Sequence, residues 1–221
     1  MLPVRQGSVR LAKKNYLKIG NYTVLEIAIL KAINSQIFDK IFINTDDHEL
    51  IVIAKKFGID FYLRSENLAS SSASTDQVVL DFFRNNERVE KLFWVNTASP
   101  LQTISDIKAF YNLSKKKNWS SGVTVSSHQT HSYWEGKPLN FNWQDKFAKT
   151  QDLKKIFCFN YAMMGWDKSM QLSLENGQLF DQSTALLESS QWSNFLLKNE
   201  DDMNLIKKLY KIAPDQGYDV N

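Results

Sequence analysis

Only one cysteine, Cys158, occurs in 221 residues, which rules out an intramolecular disulfide and a cysteine-built metal centre. Within Ile156-Phe157-Cys158-Phe159 it reads as a reduced thiol packed as a small hydrophobe. No apolar run approaches the roughly 20 residues that cross a bilayer, and the first residues lack the apolar stretch of a secretion signal. A soluble, cytoplasmic protein with no membrane partner is expected. No charge of one sign dominates either. The 27 basic and 24 acidic residues leave +3, scattered and not striped, which argues against nucleic acid as a partner. The patterns G-x-x-x-x-G-K-[ST], G-x-G-x-x-G and G-x-S-x-G are absent, so ordinary P-loop, nicotinamide and α/β-hydrolase chemistry lose support. His128 and His131 form the only nearby pair with metal-ligating potential, and no third His or Cys accompanies them. There are no internal repeats or low-complexity tracts.

What is present begins with Leu2-Pro3-Val4-Arg5-Gln6-Gly7-Ser8-Val9-Arg10-Leu11-Ala12-Lys13-Lys14-Asn15. Backbone N–H groups near Gly7 and Ser8, with Arg5, Arg10, Lys13 and Lys14 around them, suit an anion. A solvated basic N-terminus has the same composition, so the local pattern leaves both readings open.

The rest of the chain alternates. Thr23-Val24-Leu25-Glu26 is a capping box opening a helix with Leu25, Ala28, Ile29, Ala32 and Ile33 on one face, and Ile27 and Leu30 add a second apolar face. Lys40–Asn44 reads as a strand covered on both faces. Asp46 with Glu49 is expected to cap the next helix, which Gly58 ends, although Asp46-Asp47 also has the chemistry to hold Mg²⁺. A strand at Asp60–Leu63, a helix near Asp76–Asn85, a strand at Lys91–Val95, a helix over Thr103–Lys116 and a strand at Gly122–Ser126 follow. This alternation predicts an α/β fold, a Rossmann-like, doubly wound and mostly parallel sheet in a single domain over residues 1–221. Ligands of such sheets sit beyond the carboxyl ends of the strands, and those ends are all polar: Arg5–Ser8, Asn44–Asp47, Arg64–Asn67, Asn96–Ser99 and Ser126–His128. That convergence favours a phosphate or nucleotide site over the bland reading of the opening loop.

From His128 the pattern changes. Residues 129–155 form an aromatic excursion carrying Tyr133, Trp134, Phe141, Trp143 and Phe147, as suited to a partner subunit as to the parent core. A strand near Ile156–Trp166, a variable stretch to Trp192, a last helix from Glu200 with Met203, Ile206 and Tyr210 inward, and a frayed tail from Asp215 complete the expectation. Asp201-Asp202 is either the cap of that helix or a metal ligand.

With these segments in order, the chain resembles the cytidylyltransferases that activate sialic and related nonulosonic acids, the CMP-sialic acid synthetase family. The opening resembles that family's loop A-R-x-x-S-K-x-L-x-x-K-N. Thr45-Asp46-Asp47, Leu63-Arg64 with Glu66-Asn67-Leu68-Ala69, Thr97-Ala98-Ser99-Pro100-Leu101, and Lys149-Thr150-Gln151-Asp152-Leu153 ahead of Asn160 are similar to later family segments. The likeness runs from Leu2 to about Leu209. It implies a fold of the nucleotide-diphospho-sugar transferase type and transfer of CMP from CTP to a sugar acid, with Mg²⁺ and release of pyrophosphate. It also implies a homodimer in which the excursion, Tyr133–Phe147 at its centre, reaches the partner. Carried over, Arg5 and Lys14 are the catalytic candidates. Arg5, Gln6, Gly7, Ser8, Arg10, Lys14, Asn15, Arg64 and Asn96 are the nucleotide-binding candidates, with Asn96 near the base or ribose. Gln151, Asp152 and Asn160 lie toward the sugar.

Four departures accompany the likeness. Val9 stands where the family has lysine, with Arg10 beside it to restore charge. Tyr161 follows Asn160 where glycine is usual. The first strand begins several residues later than in the family, either through a misplaced start codon or through a real loss. The family's late Asp-x-Asp, which holds Mg²⁺, falls on Leu196 and Lys198 by register with Asp202, leaving the metal ligands unassigned. That last departure supports an alternative, a catalytically degenerate relative that binds nucleotide or a partner enzyme. A nucleotidyltransferase acting on another sugar is the third reading.

Overall fold

The computed structural model describes residues 1–7, 11–116 and 118–215. The expected β/α alternation is present. Strand β1 (Leu2–Pro3) leads through a short hairpin, β2 (Lys18–Ile19) and β3 (Tyr22–Thr23), into helix α1 (Val24–Ser35). The Thr23 hydroxyl accepts from Glu26 N while the Glu26 carboxylate accepts from Thr23 N, so the capping box is complete. β4 (Phe42–Thr45), α2 (Ile51–Phe57), β5 (Asp60–Leu63), the single turn α3 (Glu66–Ala69), α4 (Thr75–Asn85), β6 (Lys91–Val95), α5 (Ile104–Leu113) and β7 (Ser121–His128) follow. Gly58 ends α2 at φ 64°, a left-handed conformation that costs glycine nothing. Asp47, and not Asp46, caps the turn His48–Leu50 that leads into α2: its carboxylate accepts from Glu49 N, while Asp46 has turned to the opening loop.

β4 pairs in parallel with both β1 and β5. Met1 N donates to Phe93 O at 2.8 Å and Val95 N to Met1 O at 3.1 Å, which joins β1 to β6 and makes one seven-stranded sheet in the order β5-β4-β1-β6-β10-β7-β11. Here β10 is Ile156–Asp167 and β11 is Ala185–Glu188. The sheet is mostly parallel, but β10 runs antiparallel between β6 and β7. Gly165 in β10 sits where a Cβ would lie 3.0 Å from Phe93, so the close approach of that strand needs a residue without one.

Alternation along the strands divides the core. Phe93 and Val95 face Ile29, Ile107 and Phe110 of α1 and α5. Leu92 faces the opposite layer, where Phe82 and Phe83 of α4 meet Trp166 of β10 and Leu174 of α6 (Gln171–Glu175). The far side of α1 is covered by α7 (Glu200–Tyr210) through Ile27, Met203 and Ile206, which explains an apolar helix with two buried faces. Asn199 and Asp202 close the capping box of α7, so Asp202 is a cap residue.

Residues 129–155 leave the sheet as a two-stranded hairpin, β8 (Tyr133–Trp134) and β9 (Lys137–Pro138), and a looser aromatic cluster in which His131 stacks on Phe147 at 3.9 Å. Trp143 and Phe147 are 69% and 72% exposed. Cys158 is exposed too, contrary to its expected packing. That end of β10 pairs only with β7, since β6 engages β10 only from Met163 onward, so Phe157 and Phe159 also remain exposed. Among the described residues, no helix is long and apolar enough to cross a membrane.

Candidate active site

The site grows from the carboxyl ends of β1 and β6, adjacent parallel strands. After β1, Val4 N donates to Asn44 O, and the chain then leaves the sheet. Gln6 N donates to Asp46 Oδ1 at 3.1 Å and Arg5 Nη1 to Ser70 O at 3.2 Å, so the polar end of β4 and the residue that ends α3 position the basic loop. Gln6 and Gly7 are exposed. Arg64, at the end of β5, is buried and donates from Nη2 to Val4 O at 2.7 Å. Its Nε has no partner among the described residues. Burial lowers the Arg64 pKa, Asp46 opposes that shift and Arg5 adds to it, yet a guanidinium stays charged throughout the working range. Two adjacent guanidinium groups, one with an unpaired buried donor, form a place that attracts an anion or a carbonyl.

The loop returns through Lys13, left-handed at φ 50°, into a short turn at Lys14–Tyr16. Tyr16 donates its hydroxyl to Asp47, and Asn15 is buried with its Oδ1 accepting from Thr97 Oγ1 at 2.9 Å. Thr97 follows β6 directly, so this bond ties the basic loop to the neighbouring strand end.

The opposite wall is a bulge. Pairing of β10 with β7 shifts between Phe159 and Met164, and Tyr161 inside the bulge has φ 55°. That conformation explains why glycine suits the position: a tyrosine holds it only with support. Asn160 supplies that support. It is 7% exposed, accepts from Thr124 Oγ1 at 2.6 Å and Ala162 N at 3.1 Å, and donates to Ser189 Oγ and Asn194 Oδ1. Asn96 spans the bulge from the other side, donating from Nδ2 to Tyr161 O and from its backbone N to Ala162 O.

Between these walls lies an open cavity of about 460 Å³. Arg5, Lys14 and Lys198 supply positive charge, Asn15, Asn96 and Thr97 supply amides and a hydroxyl, and Trp94, Tyr161, Met164 and Leu179 form an apolar side. A second depression of about 230 Å³ adjoins it through Arg5, Thr75 and Trp94 and is bounded by Arg64 and Ser74.

Of the residues singled out in the sequence, Arg5, Lys14, Asn15 and Asn96 meet in the larger cavity, and Arg5 and Arg64 meet in the smaller one. Ser8 and Arg10 lie outside the described residues. Gln151 and Asp152 sit in an exposed turn at Thr150–Asp152 beside Gln129 and do not line the cavity. Asn160 does not reach it either, because its amide is consumed inside the bulge. His128, bonded to Ser126, and His131, stacked on Phe147, are likewise elsewhere. Thr75, Tyr161 and Lys198 were missed as lining residues. A faint signal existed for Thr75, since it follows the N-cap Ser74 of a helix starting at the sheet edge.

The donor set does not suit a protein-held Mg²⁺. Mg²⁺ requires oxygen ligands, usually one or two carboxylates. The residues lining the cavity include no carboxylate, and no group of three or more metal-ligating side chains occurs among the described residues. At the register expected for acidic ligands, Leu196 is half-buried and the exposed Lys198 lines the cavity.

A family model described as cytidylyltransferase matches residues 1–197. The chain is 26% identical over 220 residues to post-translational flagellin modification protein B of Campylobacter coli, covering 94% of this chain and 92% of that protein. It is 29% identical over 84% of its length to the Helicobacter pylori pseudaminic acid cytidylyltransferase and UDP-2,4-diacetamido-2,4,6-trideoxy-beta-L-altropyranose hydrolase, of which it spans 37%. Among solved structures, a CMP:2-keto-3-deoxy-manno-octonic acid synthetase complexed with CTP superposes with TM-score 0.70 at 10% identity, covering 96% of this chain and 97% of that one. The 4-diphosphocytidyl-2C-methyl-D-erythritol synthase of Anaerococcus prevotii superposes with TM-score 0.60 at 11% identity, covering 95% and 97%.

Proposed function

The chain belongs to the cytidylyltransferase family, and from that premise we propose that it transfers CMP from CTP to the anomeric hydroxyl of a nonulosonic, sialic-acid-like sugar acid, releasing pyrophosphate. The observation that carries this reading is the cavity where Arg5, Lys14 and Lys198 face Asn15, Asn96 and Thr97 at adjoining carboxyl ends of the sheet. Phosphoryl transfer of this kind asks mainly for positioning and charge neutralisation. Arg5 and Lys14 hold the triphosphate, while the depression between Arg64 and Ser74 takes the nucleoside. The sugar acid lies along Tyr161 and Leu179, with its hydroxyl directed at the α-phosphate. Attack there forms the new phosphorus–oxygen bond as the bridging oxygen leaves with pyrophosphate, and the hydroxyl proton passes to water. Any Mg²⁺ arrives on the triphosphate, since the lining offers it no carboxylate.

The exposed rings of residues 129–155 support pairing with a second copy, which would cover Trp143 and Phe147. The test of function is pyrophosphate release by purified protein with CTP, Mg²⁺ and a panel of sialic, legionaminic, pseudaminic and 3-deoxy-octulosonic acids. Release with one of them is expected, and CTP binding with no release on any acid refutes the transferase reading. That second outcome describes the other reading that the cavity's lack of carboxylates favours, a nucleotide-binding relative without turnover.

A further inference from the structure

A site that handles a triphosphate must neutralise the pyrophosphate as it departs, and the lining shows which group is available. Leu197 is fully buried and its N–H donates to Ala98 O at 2.7 Å, which fixes the backbone one residue before Lys198 against the loop that carries Asn96 and Thr97. On the other side, Lys198 N and Asn199 N both donate to Asp202 Oδ2, at 2.8 and 3.1 Å, as α7 begins. Lys198 is thus clamped by its backbone from both directions at the mouth of the cavity, next to a helix N-terminus whose dipole is positive. Asp202 spends that oxygen on the backbone, and the ion pairs among the described residues do not include Lys198. Lys198 is exposed and lines the cavity with Arg5 and Lys14, and that lining includes no carboxylate.

We propose that Lys198 is a catalytic residue that binds the departing pyrophosphate, doing with a fixed ammonium what a protein-held cation does where carboxylates line such a site. This rests on the transferase reading above. As the α-phosphorus bonds to the sugar oxygen, the electron pair of the breaking bond moves onto the oxygen that joined the α- and β-phosphorus atoms, which becomes a terminal oxygen of the departing pyrophosphate. Lys198 sits where that charge accumulates and keeps its proton throughout. A lysine serves here as a compact point charge, and three cations around one polyanion replace metal ligation by the protein.

The test separates the residue from the reaction. Binding of inorganic pyrophosphate is measured by calorimetry in EDTA for the parent protein, Lys198→Ala and Lys198→Arg, with thermal melting checked for each. Turnover is measured in parallel with whichever sugar acid is accepted. Lys198→Ala is expected to weaken metal-free pyrophosphate binding about tenfold and to lower kcat about 100-fold with KM within threefold, the scale of losing one donor at a developing anion. Lys198→Arg is expected to stay within fivefold of the parent on both. Unchanged pyrophosphate affinity in a folded Lys198→Ala protein overturns the proposal. A parent protein that binds pyrophosphate through Lys198 yet turns over no sugar acid sinks the transferase reading and leaves the anion site standing.

Discussion

Lys31 offers a quantitative test of how the core supports the site. It lies in α1 between two buried apolar faces, is 2% exposed, and donates its ammonium to Pro100 O in the loop carrying Asn96 and Thr97. Burial lowers its pKa from 10.5 to about 7, with Asp215 opposing the shift. The folded value lies below the unfolded one, so between pH 7 and 10.5 the unfolded chain holds the extra proton. Stability contributed by this group therefore rises with pH through that window and is lowest below pH 7. Each pH unit inside the window is worth about 1.4 kcal/mol, so the gain from pH 7 to 9.5 is about 3 kcal/mol. Replacing Lys31 by Met abolishes the titration and keeps the apolar stem, although Pro100 O loses its donor. Urea unfolding of both proteins, followed by tryptophan fluorescence at half-unit steps from pH 6.5 to 9.5, reads the difference directly, because every other titrating group is common to both. The stability advantage of Lys31→Met over the parent is expected to shrink by about 3 kcal/mol across the series. Parallel pH curves for the two proteins would refute a neutral, buried Lys31.

Asn160→Ala removes four hydrogen bonds from the bulge and takes the acceptor from the buried Ala162 N–H, while the Thr124 hydroxyl keeps Met163 as partner, so destabilisation of about 3 kcal/mol is expected in denaturant unfolding. Thr97→Val leaves the buried Asn15 carbonyl unpaired, which costs about 1–3 kcal/mol, and it should weaken CTP binding measured by calorimetry about tenfold because the Asn15 amide is no longer oriented. Trp143→Glu with Phe147→Glu places charge on the exposed rings of residues 129–155; light scattering should show a smaller species than the parent, with the far-UV circular dichroism of the fold retained.

Much of the frame was readable because its signals are local. The capping box Thr23–Glu26, the stop at Gly58 and the period of Val79, Phe82 and Phe83 depend on neighbours within a few residues, and each folds as the pattern requires. Other features have no local signature. Strand direction is one: nothing within Ile156–Asp167 distinguishes an antiparallel strand from a parallel one, and β10 proved to be the former. Choice between adjacent groups is another. Asp47 caps the turn leading into α2 while Asp46 takes Gln6 N, a division settled by where the loop after β1 passes.

The chemistry divides in the same way. By itself the sequence determined that polar residues end the strands and that Arg5, Lys14, Asn15, Arg64 and Asn96 accompany those ends, because strand–helix alternation with right-handed crossovers sends every parallel strand's carboxyl end to one edge. Only the tertiary structure decided that Asn160 turns inward to hold a bulge, that Tyr161 becomes a wall, and that Lys198 enters the cavity where acidic ligands were expected. Those placements depend on backbone hydrogen bonds between segments far apart in the chain, such as Leu197 N to Ala98 O, and no periodicity or composition within either segment encodes the partner.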